Sequence, residues 1–148
     1  MKFIPALIFA TAVCMLAACT PPTQYAENKE GNPVQPPVQR ERMAYLHKTS
    51  TAPITCTVGA DCAQKWARAQ SWVQSHSSYS IKTSTDSEIA TSGPIEPTTD
   101  SAFTVHKTAG TAGDATIEFS SSCGKAMFCT PTTLELEASF HNYVMHGN

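Results

Sequence analysis

Charged side chains are scarce in this chain of 148 residues, which carries 10 Lys and Arg against 12 Asp and Glu, only 15% of the total. The net charge of −2 leaves no basic surface of the kind that binds phosphates, which argues against a nucleic-acid-binding protein. Glycine is also sparse, at 7 residues, and no glycine-rich phosphate loop is present. The length allows one modest domain rather than two.

Motifs that carry chemistry are missing as well. The 5 histidines stand in no metal-ligand spacing, and the chain contains neither a GxSxG elbow nor an SxxK motif. Asp86 and Glu88 are the only close acidic pair outside a predicted helix, and this pair is typical of a solvated hairpin. We therefore expect no catalytic residue, no metal and no cofactor.

The first part of the chain is typical of a secretory signal. Lys2 supplies a positive charge, and an almost uninterrupted apolar run follows from Phe3 to Leu16. This run is shorter than the ~20 residues that a membrane-spanning helix needs. A buried helix is the alternative, but the polar, Pro-rich stretch that follows gives it nothing to pack against.

The end of this segment, Leu16-Ala17-Ala18-Cys19, resembles the lipobox of bacterial lipoproteins. The resemblance implies that residues 1–18 are removed, that Cys19 is lipidated, and that palmitate-like chains hold the protein in a membrane. Thr20 follows, whereas Asp at this position resembles an inner-membrane retention signal in enterobacterial lipoproteins. We expect a lipid anchor in the outer membrane with the domain in the periplasm. Exposure at the cell surface and an ordinary signal cut after Ala18 are the alternatives.

Residues 19–52 are predicted to be a tether that follows the lipidated cysteine. Of the 10 prolines in the chain, half lie in this range, and no convincing apolar period accompanies them. Residues 38–46 are compatible with a helical turn or two.

Residues 53–148 predict an α+β domain in the order β-α-β-β-β-β-α. Strands are predicted at 54–58, 79–83, 87–91, around 103–105 and around 117–119, with helices at 62–76 and from about 130 onwards. Asp61 and Gln64 predict a capping box for the first helix, and Thr132 and Glu135 predict one for the second, although residues 134–137 also alternate like a strand. The four consecutive strands predict a four-stranded antiparallel meander with two helices on one face.

Four cysteines remain in this domain, spaced as Cys56-x5-Cys62 and Cys123-x5-Cys129. An even number of cysteines in a small exported domain indicates disulfides. We expect the two local pairs, because a short excursion across a turn brings Cα atoms into the required range of ~4.4–6.8 Å. A zinc site with four cysteine ligands is the alternative, but the CxxC knuckles that structural zinc prefers are absent.

The first predicted helix carries both tryptophans. Trp66 lies in the centre of its apolar stripe and is expected in the core, whereas Trp72 lies on the border and is expected to be a partly exposed partner contact. Lys65 and Arg68, on the outer face, are expected to be solvated.

A second candidate contact lies between the last two cysteines. A Cys123–Cys129 disulfide would close a loop that displays Met127 and Phe128. The loop would then be ordered before any partner binds, so that binding would cost little further conformational entropy. Packing of Phe128 back onto the core is equally compatible with the sequence.

The stretch from Asp61 to Val73, with Tyr79-Ser-Ile81 and Thr85-Asp86 downstream, is similar to small uncharacterised lipoproteins of Gram-negative bacteria. That resemblance supports a domain over residues 53–148, and it carries no known activity that could be transferred to this chain. We expect a non-catalytic binding or envelope-assembly domain whose partners are the membrane, through the lipid, and another envelope protein. A small hydrolase of envelope polymers and a tethered inhibitor of a lysozyme-like enzyme are the alternatives. A deep cleft with a perturbed acid or histidine would favour the hydrolase, and an exposed aromatic patch without one would favour binding or inhibition.

Overall fold

The computed structural model describes residues 36–57 and 59–147. The predicted signal, Cys19 and the first part of the tether lie outside these residues. The described part contains, in chain order, α1 (Pro37–Ser50), β1 (Ile54–Thr57), α2 (Ala60–His76), β2 (Ile81–Ser84), β3 (Glu88–Thr91), β4 (Ala102–Ala109), β5 (Asp114–Ser122) and α3 (Thr133–His146). None of the helices in this part has the length and apolar character that crossing a membrane requires.

The five strands form one antiparallel sheet in the order β1-β5-β4-β3-β2. The predicted α+β class is confirmed, and β2 to β5 are the predicted meander. The four-stranded layout is corrected to five strands, because β1 pairs with β5, with Ile54 opposite Ile117. This pairing joins segments that are far apart in the sequence, so no local sequence pattern predicts it.

A helix that packs on α3 occupies the second half of the range predicted as a tether. α1 begins at Pro37, a position where proline is favoured because its missing N–H has no helical acceptor. Arg42 forms an ion pair with Glu135 at 2.6 Å, and Asn142 Nδ2 donates to the Tyr45 hydroxyl at 2.9 Å. α1 therefore packs against the domain predicted to begin at residue 53, and the described layout has three helices instead of the predicted two.

The core lies between one face of the sheet and the helices α2 and α3. Buried and more exposed residues alternate along β1, β3 and most of β4, as expected for strands with one covered face. Trp66 is buried, as predicted, and its Nε1 donates to the Thr85 carbonyl at 3.2 Å. The largest fully buried side chains are Trp72, Phe140, Ile89, Val73, Val105 and Val144.

The start of α2 differs from the prediction. Its N-cap is Gly59, whose φ of 113° favours glycine and which has no side chain to cap the helix. Asp61 lies inside the first turn and accepts hydrogen bonds from the Thr57 backbone N–H at 2.9 Å and from Lys65 at 3.2 Å. The predicted capping box of Asp61 with Gln64 is therefore wrong, because this carboxylate instead connects the helix to β1.

The start of α3 is confirmed. The Thr132 hydroxyl accepts from the Glu135 backbone N–H, and the Glu135 carboxylate accepts from the Thr132 backbone N–H. This reciprocal pair satisfies two donors that a helix start leaves without a helical acceptor. Residues 134–137 are helical, so the strand alternative is not adopted.

Two basic side chains of α2 are hydrogen-bonded to neighbouring elements, so the expectation that they are solvated is wrong. Lys65 Nζ donates to the Thr55 carbonyl of β1 at 2.8 Å. Arg68 Nη1 donates to the carbonyls of Val144 and Met145 at 3.1 and 3.2 Å. Because the last carbonyls of a helix lack helical donors, Arg68 caps the C-terminus of α3 from outside the helix.

Candidate functional site

Both predicted disulfides are formed. The Cα atoms of Cys56 and Cys62 lie 4.9 Å apart, and those of Cys123 and Cys129 lie 5.6 Å apart. The first bond ties the start of α2 to β1. The second closes the loop between β5 and α3.

Three apolar side chains protrude from two loops, and we call them the loop tip. Met127 and Phe128, from the loop closed by the second disulfide, are 86% and 73% exposed. Ile95, from the loop between β3 and β4, is 98% exposed. Phe128 therefore does not fold back on the core, and the loop displays both of the predicted contact residues.

The two loops that carry the loop tip contact each other. The Thr130 backbone N–H donates to the Thr99 carbonyl at 2.9 Å. Gly124 has a φ of 67°, and a Cβ atom at this position would lie 3.0 Å from Pro94 Cγ. Glycine thus permits both the turn and the close approach of the loops.

Trp72 does not reach the surface, so its predicted role as an exposed contact is wrong. Its side chain is fully buried, and its ring lies 5.2 Å from Phe103, 5.3 Å from Phe119 and 5.4 Å from Phe140, measured between centroids. His76 stacks on its outer face at 4.2 Å. Trp72 lies at the border of the apolar face of α2. This border packs against α3 and β5 rather than facing solvent.

A groove of about 820 Å³ lies between α1, α2 and α3, beside the Trp72 side chain. Its main polar groups already have partners. Arg42 is paired with Glu135, Tyr45 with Asn142, and Trp72 Nε1 donates to Ser139 Oγ at 3.3 Å. The groove therefore offers an apolar wall with few free hydrogen-bonding groups.

A second depression, which we call the edge cleft, lies where β1 begins beside β5 and α3. Its volume is about 440 Å³. Glu137 and His141, one helical turn apart on α3, line it together with His106 of β4 and Glu118 of β5. The other lining residues are Ser50, Ala52, Pro53, Ile54, Thr116, Ile117, Phe119, Ser120 and Phe140.

The titration of the two α3 side chains is perturbed in the edge cleft. Burial raises the pKa of the Glu137 carboxyl. Burial, and secondarily the nearby His146, lowers the pKa of the His141 imidazole. The Nδ1 atom of His141 is buried and has no hydrogen-bond partner among the described residues.

Sequence reasoning missed Glu137 and His141. Their four-residue spacing beside the apolar residues Leu136 and Phe140 was the available signal. Such spacing is common on solvated helix faces. The face of α3 that carries Glu137 and His141 becomes the wall of a cleft only because β1 and the end of α1 lie opposite it.

Within residues 36–57 and 59–147, no three His, Cys, Asp or Glu side chains form a group that could hold a metal ion. Comparisons of the chain with protein-family models, with curated proteins and with solved structures find no match.

Proposed function

We propose that this chain is a lipoprotein of the outer membrane whose folded unit is a non-catalytic binding or envelope-assembly domain in the periplasm. Two observations support the proposal. The Leu16-Ala17-Ala18-Cys19 motif follows an apolar signal segment, and both disulfides suit an oxidising compartment.

The loop tip carries the binding part of the proposal. Met127 and Phe128 are adjacent in one loop and Ile95 lies on the loop that contacts it, and large apolar side chains exposed on neighbouring loops are typical of protein–protein contact sites. The Cys123–Cys129 bond and the Thr130–Thr99 hydrogen bond hold the loop before binding, so that little ordering entropy is lost when a partner docks. An apolar pocket on another envelope protein is the partner that fits this protruding surface, and such a contact also serves a tethered inhibitor of a lysozyme-like enzyme.

A hydrolase of envelope polymers is the second candidate, and the edge cleft favours it. The cleft contains an acid with a raised pKa, as a general acid requires. However, no carboxylate or carbonyl of the described residues orients His141 Nδ1, and no hydroxyl or thiol in the cleft is hydrogen-bonded to a base. We therefore prefer the binding domain.

Photo-crosslinking in intact cells tests the loop tip. A crosslinking amino acid placed at Phe128 should yield one discrete adduct, while the same probe at Val38, an exposed apolar residue of α1, should yield none. The double substitution Met127→Ser and Phe128→Ser should abolish the adduct formed from Ile95 without changing thermal stability. Equal labelling from positions 128 and 38, or loss of stability in the double variant, contradicts the proposal.

Fractionation tests the anchor separately. Cys19→Ser should leave an uncleaved or soluble chain, whereas the parent chain sediments with the outer membrane. If the variant still sediments with that membrane, lipid does not attach the protein. Release of soluble fragments from peptidoglycan by the purified full chain would instead establish the hydrolase.

A further inference from the structure

The edge cleft exists because the sheet is incomplete on one side of β5. β1 pairs only with residues 114–117 of the longer strand β5. Pro53 precedes β1 and has no N–H to donate, so the pairing stops there. Residues 118–122 consequently have no strand partner on this side among the described residues, and the chain from Ser50 to Pro53 borders the gap instead of filling it.

The cleft is lined by carboxylates and, among the described residues, by no Lys or Arg side chain. Glu137 lines it from α3, and Glu118, which alternates with the core-facing Ile117, lines it from the edge of β5. The two ion pairs of the described chain are Arg42–Glu135 and Lys65–Asp61, so neither cleft carboxylate is neutralised by a cation of this part of the protein. Burial of Glu137 without a partner also accounts for the raised pKa of this carboxyl.

A neutral imidazole lines the same cleft. His141 stays uncharged at neutral pH because its pKa is lowered, and its buried Nδ1 atom has no hydrogen-bond partner among the described residues. A buried polar atom without a partner costs free energy. The neutral imidazole adds no positive charge that would repel a cation in the cleft.

We propose that the edge cleft binds an organic cation, a guanidinium or primary ammonium group on an apolar stem. The group donates to the Glu137 carboxylate, and the His141 imidazole and the Phe119 ring line the space that the stem occupies. The cleft volume of about 440 Å³ lies within the ~300–1,000 Å³ typical of small-ligand sites. This site is separate from the loop tip, so it does not depend on the proposed function.

The same cationic chemistry has two sources, a free amine and a basic side chain of an extended peptide. A peptide would in addition form main-chain hydrogen bonds with the unpaired edge of β5, in the manner of strand addition. Calorimetry with agmatine and with an acetylated Thr-Arg-Thr amide compares these sources. Tighter binding of the peptide assigns the site to strand addition, and equal or tighter binding of agmatine assigns it to a free cation.

The decisive measurement uses the full chain in detergent, without reductant, and two nearly isosteric ligands. N-acetyl-arginine amide should bind, and its contact with the His141 imidazole should shift the NMR signals of this side chain. N-acetyl-citrulline amide, whose urea group is neutral, should bind at least about tenfold more weakly. Equal affinity for both ligands, or no binding of the arginine compound, overturns the proposal.

Two matched variants locate the site. Glu137→Gln should weaken arginine amide binding at least about tenfold, because a charge-assisted hydrogen bond is lost while the shape of the side chain is kept. Glu41→Gln removes the same charge from the exposed surface of α1 and should leave the affinity unchanged. Equal effects of the two substitutions would show only non-specific attraction and would overturn the assignment.

Discussion

At the scale of single residues, Trp72 organises the core. Its indole touches aromatic side chains of β4, β5 and α3 at centroid distances of 5.2 to 5.4 Å, and Phe119 and Phe140 also stack on each other at 4.4 Å. Its Nε1 donates to Ser139 Oγ, which satisfies the one polar atom of the ring. The side chain thus joins the sheet and two helices in one contact network.

Truncation of this indole should be among the most destabilising single changes. We expect Trp72→Ala to lower the free energy of unfolding by roughly 3–5 kcal/mol, because it leaves a cavity at a fully buried site. Trp72→Phe, the control that keeps an aromatic ring, should cost clearly less. Urea unfolding followed by circular dichroism measures both variants. A loss below about 1 kcal/mol for Trp72→Ala would mean that the indole is accessible rather than buried.

At the scale of elements, α3 connects the other parts of the fold. Its start is closed by the capping box of Thr132 and Glu135, and its end is capped by Arg68 of α2. Its buried face packs on β5 and α2, while α1 packs along another side. The ion pair between Arg42 and Glu135 is exposed, so this pair contributes little to the attachment of α1.

The capping box can be tested with neighbouring threonines. Thr132→Ala should lower the free energy of unfolding by about 1 kcal/mol, because the Glu135 N–H loses its acceptor. Thr133→Ala removes an exposed hydroxyl from the first helical residue and should leave stability nearly unchanged. Thermal or urea unfolding of the pair gives the comparison, and equal costs would argue against a specific cap.

The elements that the sequence predicts well are those with local signals. The period of α2 and α3, the Thr132 cap and the meander of β2 to β5 all follow from neighbouring residues. The pairing of β1 with β5 and the docking of α1 depend on distant partners, and α1 buries only Thr49. The edge cleft was missed for the same reason, since Glu137 and His141 become its wall only after β1, β5 and α3 have packed together.

At the scale of the whole molecule, the fold places carboxylates in two different electrostatic environments. Asp61 accepts a hydrogen bond from the Thr57 N–H and, more weakly, one from Lys65, and these bonds lower its pKa. Glu137 lies in a cleft that no Lys or Arg of the described residues lines, and burial raises its pKa. The fold therefore stabilises the ionised form of the first group and penalises the ionised form of the second, as is common where a site is kept ready for a ligand.

These opposite shifts predict opposite effects of pH on stability. The lowered pKa of Asp61 means that its stabilising contribution is present above the unfolded-state pKa and is lost as the pH falls through the folded-state pKa. The raised pKa of Glu137 means that its contribution is present below the unfolded-state pKa and is lost as the pH rises through the folded-state pKa.

Neutral variants of the two carboxylates should therefore diverge as the pH rises. Glu137→Gln should gain stability relative to the parent chain between about pH 4 and about pH 8, because the parent alone ionises a buried group over this range. Asp61→Asn should lose stability relative to the parent at about pH 8 and approach it at about pH 2, where Asp61 is protonated. Urea midpoints measured across this range, without reductant, test both signs at once. If the two variants shift in the same direction with pH, Glu137 is solvated like an ordinary surface carboxylate, and the edge cleft does not hold it away from water.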